Sequence, residues 1–167
     1  MMKTTKYILA TALLSSALFF SACGGKDGSK SEASDQELPY QERVDKYIKS
    51  LTAADTTEVL TLCSSFLTEL QDGHVDEAAR SLYQVDSLGQ ARPVTEKTIQ
   101  SLRRRTRLFP VVSYSFEEMS FFLPLENTVT YKVVFRQSTP PATMGWGFRP
   151  VKIDDKWYLT LLEASKN

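Results

Sequence analysis

Residues 128–136 read TVTYKVVFR, and this stretch decides the fold. Apolar side chains recur at every second position, and polar side chains fill the positions between them. The apolar positions are Val129, Tyr131, Val133 and Phe135, and the polar ones include Thr130, Lys132 and Arg136. A period of two is typical of a β-strand that buries one face and exposes the other. We therefore predict a half-buried strand in an antiparallel sheet, because such sheets tolerate one solvated face.

Strand-like patterns also flank this segment. Residues 111–123, VVSYSFEEMSFFL, alternate in the same way. Residues 144–153, MGWGFRPVKI, and residues 156–163, KWYLTLLE, lie on either side of Asp154 and Asp155. Two adjacent acidic residues between apolar runs form a compact polar turn suited to a hairpin. The region after Pro110 therefore reads as an antiparallel meander.

The region before Pro110 has helical periodicity instead. The strongest stripe consists of Val59, Leu62, Cys63, Phe66, Leu67 and Leu70. Gly73 follows it as a stop signal, and Asp55 with Glu58 three positions later indicates a capping box at its start. Further helices are predicted over residues 40–51, just after Gly73, and from about Thr95 to Leu108, where Ile99, Leu102 and Thr106 would face inward. In the first of these, Val44, Tyr47, Ile48 and Leu51 would share one face.

Helices first and strands afterwards predict an α+β fold. We expect the N-terminal helices to pack on one face of a curved antiparallel β-sheet of about four strands.

A family resemblance supports this fold. Residues 66–83, FLTELQDGHVDEAARSLY, are similar to the opening of NTF2-like, cystatin-like domains, in which one helix turns over a glycine into a second. The C-terminal strands with their Asp-Asp-Lys-Trp hairpin resemble the last long strands of that fold. The resemblance, which extends to small Bacteroides-type lipoproteins, implies a cone-shaped domain that often holds a pocket. Enzymes of this fold place an aspartate or histidine base in that pocket.

The N-terminus reads as an export signal. Lys3 and Lys6 precede an apolar run over residues 7–20, and small residues follow. The run is shorter than the roughly 20 residues that a membrane span needs. The segment FSAC, ending at Cys23, resembles a lipobox, although Phe20 stands where leucine is preferred. We therefore predict lipidation of Cys23; a plain secretion signal and a short uncleaved anchor are the alternatives.

This signal predicts three parts of the chain. Residues 1–22 would be a lipoprotein signal peptide, residues 23–39 the lipidated cysteine and a flexible tether, and residues 40–167 a single NTF2-like domain. The tether is rich in glycine, serine and charge. Because Gly24 rather than aspartate follows Cys23, the resemblance favours the outer membrane. The expected location is extracytoplasmic, with the acylated Cys23 as the contact to the membrane.

Charge and cysteine content limit which partners and which covalent links the chain is expected to have. The chain has 20 basic and 20 acidic residues, so no strong field attracts a polyanion, and no nucleic acid partner is expected. It has two cysteines, and lipidation of Cys23 would leave Cys63 unpaired on a helix face, as a buried small hydrophobe. The basic run RRRTR, residues 103–107, closes a predicted helix and is expected to form a solvated face. Contact with a glycan or a lipid headgroup is its alternative.

Few residues point to catalysis. His74 is the single histidine and lies in a predicted turn, where an exposed capping role is expected. The acidic residues of the strand region fall mostly at turns and strand ends, so no acid–base site is indicated. One histidine and one spare cysteine form no ligand cluster, so neither a metal nor another cofactor is predicted.

The aromatic residues of the strand region offer a candidate binding site. Trp146 lies between Gly145 and Gly147, and glycines beside an aromatic mark a bulge, a bend or the close approach of another group. A ligand pocket lined by Trp146, Tyr131 and Arg149 is one interpretation, and packing in the core is the other. The predicted function is a non-catalytic module that binds an envelope protein, a glycan or a small apolar ligand. The alternative is a small isomerase or hydrolase with a pocket under the sheet.

Overall fold

A computed structural model of the protein describes residues 38–162. The helices are α1 (Tyr40–Ser50), α2 (Ala53–Gln71), α3 (Val75–Arg80) and α4 (Glu96–Leu108). The strands are β1 (Tyr83–Val85), β2 (Ala91–Pro93), β3 (Ser113–Ser120), β4 (Thr128–Arg136), β5 (Ala142–Phe148), β6 (Val151–Ile153) and β7 (Lys156–Tyr158). The predictions on the signal peptide, Cys23 and most of the tether fall on residues outside this range and stay predictions.

The α+β prediction is confirmed. Strands β3, β4 and β5 form an antiparallel sheet in that order, with the half-buried β4 in the middle. Strands β6 and β7 form a separate hairpin rather than the fourth strand of one continuous sheet. A bridge between Phe148 and Leu161 brings the segment after that hairpin back to the free edge of β5. The break comes at Pro150, which follows β5 and has no backbone N–H to offer a ladder.

The predicted hairpin turn is confirmed by its backbone. Asp154 and Asp155 both have positive φ, at 51° and 57°. Two successive residues in that region form the tight turn whose twist matches a two-stranded hairpin, and aspartate tolerates it better than most residues.

Helix α2 begins earlier than its sequence pattern predicted. Thr52, not Asp55, is the N-cap, and Asp55 is the third helical residue. The Thr52 hydroxyl accepts the Asp55 N–H at 3.3 Å, and the Asp55 carboxylate accepts the Thr52 N–H at 2.8 Å. The capping box is therefore Thr52-x-x-Asp55, because threonine at the cap and an acid three positions later satisfy two backbone donors reciprocally.

The core lies between α2 and one face of the three-stranded sheet, called here the inner face. The helical stripe predicted for α2 is buried, apart from a half-buried Leu62. The inner face contributes Val129, Tyr131, Val133, Trp146 and Phe148. On α4, Leu102 and Thr106 are buried as predicted. On α1 the prediction was wrong for Ile48, which is 46% exposed, while Val44 is buried.

The hairpin of β1 and β2 was not predicted. Its turn is organised by Asp86, whose carboxylate accepts the N–H groups of Leu88 and Gln90 and a bond from Arg92. Gly89 supplies a positive φ of 73°. The signal in the sequence was the spacing of Asp86 and Gly89, which is typical of a turn. Strands of three residues are too short for their alternation to be read.

Candidate functional site

The structure brings together two of the three residues predicted to bind a ligand. Tyr131 on β4 and Trp146 on β5 are direct cross-strand partners, and both side chains point to the inner face. Tyr131 is 4% exposed and Trp146 is 0% exposed. Phe66 of α2 lies against the Trp146 ring with centroids 6.0 Å apart, and Phe148 lies 6.1 Å from Tyr131. These rings fill the space under the sheet where the sequence had allowed a pocket.

Arg149 lies elsewhere. It follows the last residue of β5, its side chain is exposed, and its backbone N–H donates to the Thr160 carbonyl at 2.8 Å. Among residues 38–162, the arginine that contacts the Trp146 ring is Arg105 and not Arg149. The cation beside the inner face therefore comes from α4, and from the basic run 103–107 that was predicted to be a solvated face.

Arg105 and Trp146 together form what is called here the Trp146 site. The guanidinium carbon of Arg105 lies 3.9 Å from the centroid of the indole ring, within the range of a cation–π contact. Burial lowers the pKa of Arg105. Within residues 38–162, no carboxylate lies within ion-pair distance of this guanidinium. A half-buried charge without a counter-charge costs free energy, which the ring offsets in part.

The second part of the Trp146 site is the indole nitrogen. The Nε1–H of Trp146 is buried and has no hydrogen-bond partner among the described residues. Buried donors in proteins are nearly always paired, so an unpaired one calls for an acceptor. The Trp146 site thus holds a guanidinium stacked on the ring and the N–H of that ring, and residues 38–162 provide an acceptor for neither.

The position of Arg105 carried a signal that sequence reasoning missed. Leu102, Arg105 and Thr106 are spaced at i, i+3 and i+4, which places them on one side of a helix. Of the other arginines of the run, Arg104 and Arg107 are exposed as predicted, while Arg103 is half-buried and pairs with Asp76 at 2.7 Å and Glu96 at 3.3 Å. The expectation of a solvated face was wrong for Arg105, which lies against an aromatic ring.

The opposite, outer face of the sheet carries a shallow depression, called here the outer trough. Its volume is about 410 Å³, within the range of small-molecule sites. It is lined by Ser113, Tyr114, Ser115, Lys132, Val134, Pro140, Pro141 and Thr143. Lys132 stands between Ser115 on β3 and Gly145 on β5 in the strand register. Its amine has no carboxylate partner within the described part of the chain.

The glycines beside Trp146 differ in what lies over them. A Cβ built on Gly145 would meet nothing within 4 Å, whereas one on Gly147 would lie 2.9 Å from Cδ2 of Leu162 and 3.1 Å from its Cβ. Of the three alternatives for these glycines, a bulge, a bend or the close approach of another group, the close approach is found at Gly147. At Gly145 the missing side chain leaves open space beside Lys132, which is one of the residues that line the outer trough.

A third constellation, called here the Trp157 site, joins Asp55, Lys152 and Trp157. The Asp55 carboxylate accepts from Lys152 Nζ at 2.7 Å and from Trp157 Nε1 at 2.9 Å. The same carboxylate accepts the backbone N–H and the hydroxyl of Thr52, each at 2.8 Å. The bond from Lys152, followed by the Thr52 N–H, holds the pKa of Asp55 well below its usual range. With every lone pair engaged, Asp55 ties α2 to the β6–β7 hairpin.

The other candidates for chemistry have structural contacts. His74 is exposed, and its Nδ1 lies 3.0 Å from the Glu69 carboxylate. Cys63 is buried in the core, and burial raises the pKa of its thiol to about 12. A thiol that stays protonated is a poor nucleophile. Within residues 38–162 no group of three histidine, cysteine or acidic side chains could hold a metal ion. Among the helices of the described residues, none combines the length and the hydropathy that a membrane span requires.

No protein-family model and no curated protein matches this chain. Among solved structures it is similar to an NTF-2 like protein of unknown function from Shewanella oneidensis MR-1. The two are 16% identical, with a TM-score of 0.46 over 62% of this chain and 93% of the other.

Proposed function

We propose that the protein is a lipid-anchored, non-catalytic binding module of the cell envelope, built on an NTF2-like domain. The outer trough is the observation that carries this function. Its walls offer a primary amine and several hydroxyl groups on a rigid three-stranded sheet. The inner face offers less room, because aromatic rings occupy the space between α2 and the sheet.

The lining of the outer trough favours a polar ligand, and we propose a glycan. Hydroxyl groups of Ser113, Ser115 and Thr143 can each donate and accept, which matches the hydroxyls of a sugar. Pro140 and Pro141 form an apolar wall against which a sugar ring can pack. Lys132 adds a donor and an uncompensated positive charge, so acidic sugars should bind more tightly than neutral ones.

The experiment for this proposal is a binding screen with envelope glycans on the full chain in detergent micelles. Gly145→Val should weaken binding, because its Cβ enters open space beside Lys132 of the trough without contacting other residues. Lys132→Ala should weaken binding of acidic glycans by about tenfold, the loss of roughly one charge-assisted hydrogen bond. Lys49→Ala, an exposed lysine on α1, is the matched control. Glycan binding that survives both Gly145→Val and Lys132→Ala unchanged would exclude the trough as the site.

The anchor is tested separately. Acylation of Cys23 would hold the protein at the membrane, since each buried methylene contributes roughly 0.8 kcal/mol and two chains give durable attachment. Cys23→Ala should move the protein to the soluble fraction and abolish labelling by palmitate, while Cys63→Ala should leave labelling unchanged. Palmitate labelling of the Cys23→Ala variant would disprove the lipoprotein proposal.

A further inference from the structure

The two tryptophans of the chain lie in chemically similar sites. In each, a basic side chain lies near the indole ring: Lys152 Nζ is 5.8 Å from the centroid of Trp157, and Arg105 is 3.9 Å from that of Trp146. The sites differ in one group. At Trp157 a carboxylate, that of Asp55, accepts from the cation and from the indole N–H at once. At Trp146 the described residues provide no such acceptor.

We propose that the Trp146 site binds a carboxylate group supplied by a ligand. The Trp157 site shows within this protein that a carboxylate satisfies a cation and an indole N–H together. The ligand is therefore a small organic acid, or a larger molecule that presents a carboxylate. This inference is independent of the outer trough, which lies on the opposite face of the sheet.

The arrangement of Arg105 suits this ligand. A guanidinium stacked on an aromatic ring keeps its N–H groups free at its edge, where they can form two parallel bonds to a carboxylate. Arg105 is half-buried rather than enclosed, so part of its side chain is accessible to solvent and to a dissolved anion. Because Trp146 is fully buried, the carboxylate can reach its Nε1–H only if the Arg105 side chain moves along the ring when the ligand binds.

The experiment reads the two indole N–H groups by nuclear magnetic resonance, in the full chain in detergent micelles. Sodium acetate is the probe, titrated against sodium chloride at matched ionic strength. The Trp146 signal should shift in a saturable way, while the Trp157 signal, already bonded to Asp55, should stay in place. Arg105→Gln should abolish the shift, and Arg104→Gln, an exposed neighbour on α4, should retain it.

Three outcomes would overturn the proposal. The first is a Trp146 signal that does not respond to acetate. The second is a response to inorganic phosphate at a lower concentration than to acetate, which would make the site one for phosphate. The third is a Trp146 signal that responds to acetate in the Glu163→Gln variant but not in the wild type. Leu162 donates to the Gly147 carbonyl beside Trp146, and Glu163 is the next residue in the sequence. A requirement for that variant would mean that the chain supplies its own carboxylate.

Gly145→Val separates this proposal from the one on the outer trough. Its side chain lies on the outer face and should leave the acetate titration of Trp146 unchanged. Loss of glycan binding in Gly145→Val together with an intact acetate response of Trp146 would support both proposals. Because the two measurements are independent, either proposal can fail without the other.

Discussion

The Trp157 site and the Trp146 site each contain a basic side chain near an indole ring, but the polar groups of the two sites are paired differently. At Trp157, the cation, the indole N–H and the helix cap all converge on Asp55, so every polar group is paired. At Trp146, the cation and the indole N–H lie together without an acceptor in the described part of the chain. The two sites differ in a single carboxylate: where it is present the groups hold the fold together, and where it is absent two kinds of donor stay available for a ligand.

The largest expected effect is the removal of that carboxylate. Asp55→Ala leaves Lys152, the Trp157 N–H and the Thr52 N–H without their acceptor, so the free energy of unfolding should fall by about 3 kcal/mol. Urea denaturation of the full chain in detergent measures this. Glu58→Ala, an exposed acid on the same helix, should stay within about 0.5 kcal/mol of the wild type. Equal effects of the two substitutions would mean that the Trp157 site contributes little to stability.

Removing the cations should distinguish the two sites. Lys152→Met leaves the Asp55 carboxylate largely buried without its counter-charge, and should cost about 2 kcal/mol. Arg105→Met removes a cation that has no described counter-charge, so the lost cation–π contact and the relieved burial of charge should nearly cancel, within about 1 kcal/mol. Both are measured in buffer free of carboxylates. A larger loss for Arg105→Met would show that Arg105 already has an anionic partner.

The dependence of stability on pH should follow from Asp55. Its pKa is lower in the folded protein than in the unfolded chain, where it is about 3.9. Its contribution is therefore complete above that value and is lost as the pH falls toward the folded pKa. Between about pH 6 and about pH 3, the urea midpoint should fall more in the wild type than in Asp55→Asn. Parallel curves for the two proteins would contradict this role of Asp55.

The smallest expected effect comes from the glycines beside Trp146. Gly147→Ala places a methyl group against Leu162, and should cost about 1 kcal/mol because that segment must move. Gly145→Ala enters open space and should be neutral or stabilising by about 0.5 kcal/mol, since it restricts the unfolded chain. Thermal unfolding of the two variants compares them directly. A destabilising Gly145→Ala would show that the outer trough is narrower than described.

Much of the fold was readable from local pattern. The stripe of α2, the stop at Gly73, the alternation of β4 and the Asp154-Asp155 turn are all set by side-chain period or backbone preference within a few residues. The start of α2 was misplaced, because Asp55 fits either end of a capping box and only the bond to Thr52 decides. The β1–β2 hairpin was missed, since strands of three residues are too short to show a period.

The candidate site was readable only in part. The sequence placed Tyr131 on the apolar face of its strand and singled out Trp146, and their register then made them neighbours. The sequence did not indicate which arginine contacts the Trp146 ring. Arg149 is close to Trp146 in the sequence, whereas Arg105, which makes the contact, is remote from it. The helical spacing of Arg105 from Leu102 indicated that the two residues lie on the same side of α4. Such spacing does not indicate which residues of the sheet that side contacts.

The sequence by itself determined which segments are helices and strands and which of their faces are apolar, because those properties depend on neighbours along the chain. The tertiary structure alone decided which ring each cation meets and which donors find an acceptor. Asp55 and Trp157 are separated by 102 residues, yet their side chains lie within hydrogen-bond distance. Such contacts depend on how the helices pack against the sheet, and the periodicity of side chains along one helix or strand does not determine that packing.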